Sequence, residues 1–236
     1  MTDELFQGTY QIHAGGFKVR RRDLEPTLPP ELILDGKKKR CRVFFMYGEQ
    51  AIRLTNGPIA EVYQEAILAV PGVRIKKAPE VGVFNYMPKV FVSRVGPMII
   101  NTLFGFPKEL ARFRRKGNEL EISVGIDCRT VITASFEDTN VARKWQWYKE
   151  LTRPTWHSPT LNIVAGRILE ASADIKPGEI VLPSKLQLTF NLSKLDYLPR
   201  QITVDPIAKK TLGGFATVQN YNFGLAQKLP FGRMII

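Results

Sequence analysis

One stretch of the chain combines residue types that could do covalent chemistry: Gly105-Phe106-Pro107-Lys108-Glu109-Leu110-Ala111. Lys108 follows a proline and stands among Leu103, Phe104, Phe106 and Leu110. A lysine at the surface keeps its ammonium in water and lays its stem along apolar neighbours. If those neighbours fold over it, desolvation disfavours the charged form. A neutral amine is a nucleophile toward ketones and aldehydes. Leu103, Phe106, Leu110 and Phe113 recur at helical spacing, interrupted by Gly105 and Pro107. Pro107 fits the first turn of a short helix running from Lys108 to Arg112. The positive end of such a helix would disfavour the ammonium further. Phe106 and Glu109, on either side of Lys108, are the candidates to border a substrate. A carboxylate at 109 would hold the ammonium if it faced the amine, but successive helical side chains point apart.

Other chemistries lack their residues. Histidine occurs at His13 and His157, and Cys41 and Cys128 stand far apart, so no metal-ligand spacing arises. Two reduced thiols are expected, and no metal. There is no βαβ alternation, no glycine-rich phosphate loop and no internal repeat, so no cofactor is expected either. The net charge of +12 gathers in Arg20-Arg21-Arg22, Lys37-Lys38-Lys39-Arg40 and Arg112-Phe113-Arg114-Arg115-Lys116. Such runs could meet nucleic acid or an anionic surface. No zinc finger, helix-turn-helix or aromatic-basic consensus accompanies them, which speaks against nucleic acid. They read as solvated loops and element ends. A cationic excess also suits an enzyme of carboxylate substrates, by concentrating anions. Trp145, Trp147, Tyr148 and Trp156 lie among Arg143, Lys144 and Lys149. That group packs a loop or a subunit contact, or holds a planar or anionic partner through cation-π contacts.

The elements that must position Lys108 are mostly strands. Arg42 to Tyr47 is β-branched and aromatic, and Lys89 to Ser93, Glu119 to Val124 and Thr130 to Phe136 alternate. Ile163 to Ile175, Lys185 to Asn191 and Phe215 to Phe223 extend the series, with Leu186, Leu188 and Phe190 on one face. Ile59 to Val70 fits a helix or a strand equally. Asp138 to Leu151, closed by Pro154, is the other helical candidate. The sum is a mostly β (α+β), antiparallel domain with a few short helices, residues 1-236 forming one unit. Apolar residues make up 44% and charged residues 24%, the balance of a soluble globular protein. No run approaches the roughly 20 apolar residues of a membrane-spanning helix. The opening Met1-Thr-Asp-Glu lacks a signal-peptide pattern, so a cytoplasmic location is expected.

The Phe-Pro-Lys-Glu-Leu run at 106–110 resembles the Tyr-Pro-Lys-Lys-Leu active-site segment of the acetoacetate decarboxylase family, whose first lysine forms the Schiff base. Val62-Tyr63-Gln64-Glu65 resembles the family's Tyr-x-Glu element, which supplies an active-site carboxylate. Tyr10-Gln-Ile-His13, Leu28-Pro-Pro-Glu-Leu32, Leu195-Asp-Tyr-Leu-Pro199 and Leu212-Gly-Gly214 resemble further family segments in the same order. The resemblance implies a cone-like closed β-sheet or barrel, a homo-oligomer, and a lyase acting on a small-molecule keto acid. It assigns Lys108 as Schiff-base lysine and Glu65 as the carboxylate that shuttles protons or orients the carbinolamine's hydroxyl. Two departures matter. Glu109 replaces the family's second lysine, and relatives without that lysine favour aldol-dehydration or cyclisation chemistry on 2-oxo acids. The family's carboxylate-binding arginine aligns near Gly15, which leaves Arg20, Arg21 or Arg22 to take its place, with Arg20 the candidate. The alternative is a non-catalytic protein on the same fold that binds an anionic ligand or partner.

Overall fold

The computed structural model of the chain describes residues 4–54, 60–103, 106, 108–137, 156–164, 167–181, 185–192, 195, 197–204 and 212–228. In chain order the strands are β1 (Glu4–Arg20), β2 (Leu32–Leu34), β3 (Arg40–Leu54), β4 (Ala60–Ile75), β5 (Phe84–Val92), β6 (Lys108–Lys116), β7 (Glu119–Val124), β8 (Arg129–Glu137), β9 (Trp156–Val164), β10 (Arg167–Val181), β11 (Lys185–Phe190), β12 (Gln201–Val204) and β13 (Leu212–Lys228). Among the described residues two α-helices, α1 (Arg21–Leu24) and α2 (Val95–Leu103), and two 3-10 turns, Glu25–Thr27 and Pro79–Val81, interrupt them. Mostly β with short helices is the class the alternating segments predict. The ambiguous stretch after Ile59 is strand, inside β4. The run from Ile163 to Ile175 is divided between β9 and β10. The expected helix from Asp138 to Leu151 lies outside the described residues, as do Trp145, Trp147 and Tyr148; Trp156 opens β9.

The strands join in one sheet of thirteen, in the order β12-β11-β8-β7-β6-β5-β9-β10-β13-β1-β3-β4-β2, with a further pairing of β5 to β4. That last pairing makes a circuit of seven strands, β4-β3-β1-β13-β10-β9-β5. It closes through only two residue pairs, Asn85 with Thr160 and Tyr86 with Leu161. The sheet is therefore strongly curled and half-barrel-like rather than a sealed tube. Pairing is antiparallel except where β5 meets β6 and β9.

Alternation sorts the side chains onto two faces. Phe45 and Tyr47 on β3 face the same way as Leu68 and Ala66 on β4. They share the main core with Leu120, Ile122, Ile132, Phe136, Leu188 and Phe190 of β7, β8 and β11. Ring contacts cross this core: Phe45 to Phe190 at 6.1 Å and His13 to Phe136 at 4.5 Å. The opposite face carries a second cluster of Tyr63, Ile67, Ala69, Val90 and Val92, joined by Phe44, Met46, Met87 and Met98. The sheet branch β6-β7-β8-β11-β12 is too large to enter a seven-strand ring, so the main core lies outside the ring. The second cluster lines its interior, a space that small barrels fill with side chains or one small ligand.

Two local features hold this arrangement. Gly48 faces the interior opposite Glu65, and a Cβ there would meet the Gln11 carbonyl oxygen at 1.8 Å. Strands β1 and β3 approach too closely for any side chain. Arg21, from the first basic run, donates to Glu25 at 2.7 and 2.9 Å and to the Leu34 carbonyl at 2.8 Å, tying α1 to β2. The first two basic runs sit at the β1–α1 junction and ahead of β3, as solvated element ends should. The third lies within strand β6, where Arg114 stands opposite Glu121 and Lys116 opposite Glu119, so cross-strand acids offset part of its charge.

Gly48→Ala is expected to cost about 3 kcal/mol or to prevent folding, because backbone and not a flexible side chain is in the way. Gly96→Ala meets only the tip of Glu61, at 2.9 Å, and should stay within about 1 kcal/mol of wild type in urea denaturation. The Arg21 guanidinium holds the Glu25 carboxyl below its usual range. That contribution is fully present above the ordinary carboxylate range and is lost as pH falls through the lower folded value. The thermal-midpoint difference between wild type and Arg21→Gln should therefore shrink between about pH 6 and about pH 3.

Candidate active site

Lys108 is the first residue of β6, not of a helix. Helix α2 ends at Leu103, and Ala111 buried between exposed Leu110 and Arg112 shows the two-residue period of a strand. Apolar residues at helical spacing from Leu103 to Phe113 span the end of one element and the start of the next. Lys108 therefore does not itself stand at a helix N-terminus. Lys108 pairs in parallel with Val90 of β5, and its N–H donates to the Phe106 carbonyl at 2.7 Å. This register turns the side chain toward the interior cluster.

Glu65 comes from β4, opposite Val92 and so two pairs along from the lysine's level. The β4–β5 pairing is pinned there: the Gln64 N–H donates to Ser93 Oγ at 2.8 Å, and the Ser93 N–H donates to the Gln64 carbonyl at 3.0 Å. Lys108 Nζ donates to Glu65 Oε1 at 2.5 Å, and the two side chains are only 7% and 4% exposed. The Lys108 ammonium also sits 5.5 Å from the centre of the Tyr63 ring, an attractive cation-π placement. The other carboxylate oxygen of Glu65, Oε2, accepts from the Gln50 side-chain amide. Gln50 Oε1 in turn accepts from the Tyr63 hydroxyl at 2.8 Å. Gln50 and Tyr63 are direct partners across β3 and β4. The result is a buried, hydrogen-bonded ion pair in a mainly apolar enclosure, with neutral polar groups holding the acid.

The structure thus brings together Lys108 and Glu65, and Phe106 is buried two residues from the lysine. Glu109 is not brought to this pair. Strand alternation sends it to the opposite face, level with Phe91, where it pairs with Lys89. It does not border the amine. Nor is Arg20 brought there: it bonds Asp23 at 2.5 Å and its side chain is 58% exposed. It pairs with Arg40, ten residues along β3 from Gln50, or about 30 Å at the rise of a strand. Arg21 is committed to Glu25 and to carbonyls, and Arg22 lies 3.7 Å from Asp23 with its side chain 75% exposed. Sequence reasoning missed Gln50 altogether and gave Tyr63 no role. The signal available was their pairing, which exists only once β3 and β4 are in register.

Removing one partner of a buried ion pair leaves an uncompensated charge, at about 3–5 kcal/mol. Lys108→Met should lose about that much in urea denaturation, and adding Glu65→Gln should restore most of it. Glu109→Gln, which breaks a half-exposed pair, should cost less than about 1 kcal/mol.

No protein-family model matches the sequence, and no curated protein matches it significantly. Solved structures do resemble it. An acetoacetate decarboxylase-like enzyme from Sphingomonas wittichii RW1 superposes with a TM-score of 0.65 at 14% identity, covering 97% of this chain and 94% of that one. The enduracididine biosynthesis enzyme MppR, complexed with the condensation product of pyruvate and imidazole 4-carboxaldehyde, gives 0.62 at 13% identity over 95% and 88%. MppR has also been solved with pyruvate. Acetoacetate decarboxylase from Legionella pneumophila gives 0.61 at 15% identity over 95% and 88%. Over nearly its whole length, this chain has the fold of acetoacetate decarboxylase and the enzymes like it.

Proposed function

We propose that this chain is a lyase that forms a Schiff base with a keto acid, using Lys108 as nucleophile and Glu65 as proton carrier. The observation that carries this reading is the 2.5 Å contact between Lys108 Nζ and Glu65 Oε1 inside the strand ring, with both side chains almost wholly buried. Transfer of one proton across that contact converts ammonium and carboxylate into amine and carboxylic acid. The pair stays neutral in sum, so its net charge is unchanged in the enclosure. The amine lone pair then adds to the substrate's carbonyl carbon. Glu65 returns its proton to the carbinolamine hydroxyl, which leaves as water. The product is an iminium, an electron sink.

A bond one carbon away from the iminium carbon can then break with its electrons flowing to nitrogen. If that bond leads to a carboxylate, carbon dioxide leaves. If it is a C–H bond, the enamine formed can undergo aldol addition or dehydration. The complexes of MppR with pyruvate and with a pyruvate–aldehyde condensation product support an oxo-acid substrate and keep the aldol branch open. Glu109 faces away from the amine, so it does not oppose formation of the neutral nucleophile.

Pyruvate and acetoacetate, each with borohydride, should add one reduced substrate mass to the intact protein, mapping to Lys108. Lys108→Met should abolish the adduct. Glu65→Gln should slow trapping by about 10²-fold or more, as loss of a positioned acid–base group does. No adduct across a panel of 2- and 3-oxo acids would replace this reading with that of a non-catalytic binding protein.

A further inference from the structure

We propose that Gln50 is a positioning residue, its amide pinned by Tyr63, that reserves Oε2 of Glu65 and so keeps Oε1 facing the reacting carbon once Lys108 has become an iminium. This role rests on the Schiff-base reading of Lys108. It begins from an asymmetry in the amide. A glutamine side chain has a donor end and an acceptor end, and its sense is set by its partners. Here the Tyr63 hydroxyl donates to Gln50 Oε1 at 2.8 Å, and the amide nitrogen donates to Glu65 Oε2. Flipping the amide would set oxygen against carboxylate oxygen and NH2 against the phenol. Tyr63 therefore keeps the donor end on Glu65. All three residues are buried, where a mispaired polar group is costly.

The need for this clamp appears after imine formation. An ammonium has three rotatable N–H donors and can hold a carboxylate in many orientations. An iminium has one N–H, fixed in the plane of its double bond, so the nitrogen no longer determines the carboxylate's rotation. The bond from Gln50 persists through this change. It leaves Oε1, already 2.5 Å from the lysine nitrogen, as the oxygen next to the substrate. When a C–H bond beside the iminium carbon breaks, its proton passes to Oε1 and its electron pair becomes the enamine double bond. The iminium pair returns to nitrogen as a lone pair. Gln50 has no proton of its own to gain or lose in this step, and it touches Glu65 rather than the reacting atoms.

The test separates imine formation from the carbon proton transfer. Borohydride trapping of pyruvate on Lys108 reads the first, and deuterium entry into the pyruvate methyl group in D2O, followed by NMR, reads the second. Gln50→Met should keep trapping within about 5-fold while slowing exchange about 100-fold. Tyr63→Phe, which keeps the ring beside Lys108, should slow exchange about 10-fold. The double variant should be no slower than Gln50→Met alone, since the role proposed for the phenol is to hold the amide. Exchange unaltered in Gln50→Met would overturn the role, as would trapping and exchange falling together with the folded fraction seen by circular dichroism. Additive losses in the double variant would remove Tyr63 from it. A wild-type adduct without exchange would leave Glu65 no carbon proton to carry and end the proposal while sparing the imine. A wild type with no adduct would end both.

Discussion

Two opposite charges set among Tyr63, Ile67, Val90 and Val92 have to stay in contact, because either one alone in that enclosure would cost several kcal/mol. The rest of the architecture can be understood from that requirement. Lys108 and Glu65 are 43 residues apart in sequence, and Gln50 is 15 residues from Glu65. The Gln50–Glu65 contact lies within the β3–β4 hairpin, whereas the Lys108–Glu65 contact lies outside any single hairpin. Together they require β3, β4, β5 and β6 to be in register. A one-residue slip in β6 would send Lys108 to the outer face and bring Glu109 inside. The ion pair therefore penalises wrong registers strongly while adding little net stability of its own.

Where β6 begins follows from the same geometry. One edge of β5 serves two neighbours, β9 at Asn85 and Tyr86 and β6 at Val90 to Val92. The chain joins that edge at Lys108, the first paired residue. An amine at a strand's first residue is held by one pairing and by the bond to the Phe106 carbonyl. It is placed by the sheet yet not enclosed by strands on both sides. Glycine at 48 does the complementary work on the opposite wall. It brings β1 and β3 together and leaves no side chain beside Glu65.

Much of this was legible in residue patterns. The alternation of Glu119 to Val124 marks a strand with the same ends as β7, and Leu188 and Phe190 are buried together on β11 as their spacing requires. Lys108 stood out because apolar neighbours and a proline surround it. The helix drawn around it failed because Leu103, Phe106, Leu110 and Phe113 imitate a 3.6-residue period by accident of an element boundary. Arg112 and Arg114 alternating with Ala111 and Phe113 carried the correct signal, obscured by their charge. Glu65 was reachable through a short resemblance, whereas Gln50 was not. A glutamine in a strand reads as solvent-facing until its partner across the ladder is known to be a buried tyrosine. Arg20 was proposed because a substrate carboxylate needed a cation, and a run of arginines lay nearest in sequence; distance along β1 and β3 defeats that choice.

The strand assignment also resolves the conflict posed by an acid next to a nucleophilic lysine. On a helix, neighbours diverge by about 100°, and a long glutamate could still reach the amine. On a strand they point to opposite faces, so Glu109 is removed from the interior and has Lys89 for a partner. Among the described residues, the group left around the amine is one carboxylate with the neutral amide and phenol that hold it. A keto acid entering this space adds a negative charge. Of the two charges already paired there, only the one on Lys108 can balance it. Neutral amine is needed for the instant of addition, but the iminium that follows is a cation at the same nitrogen. The proposed imine would thus restore, beside Glu65 and a keto acid's carboxylate, the positive charge that the resting ion pair holds, and a mechanism that left the nitrogen neutral would not.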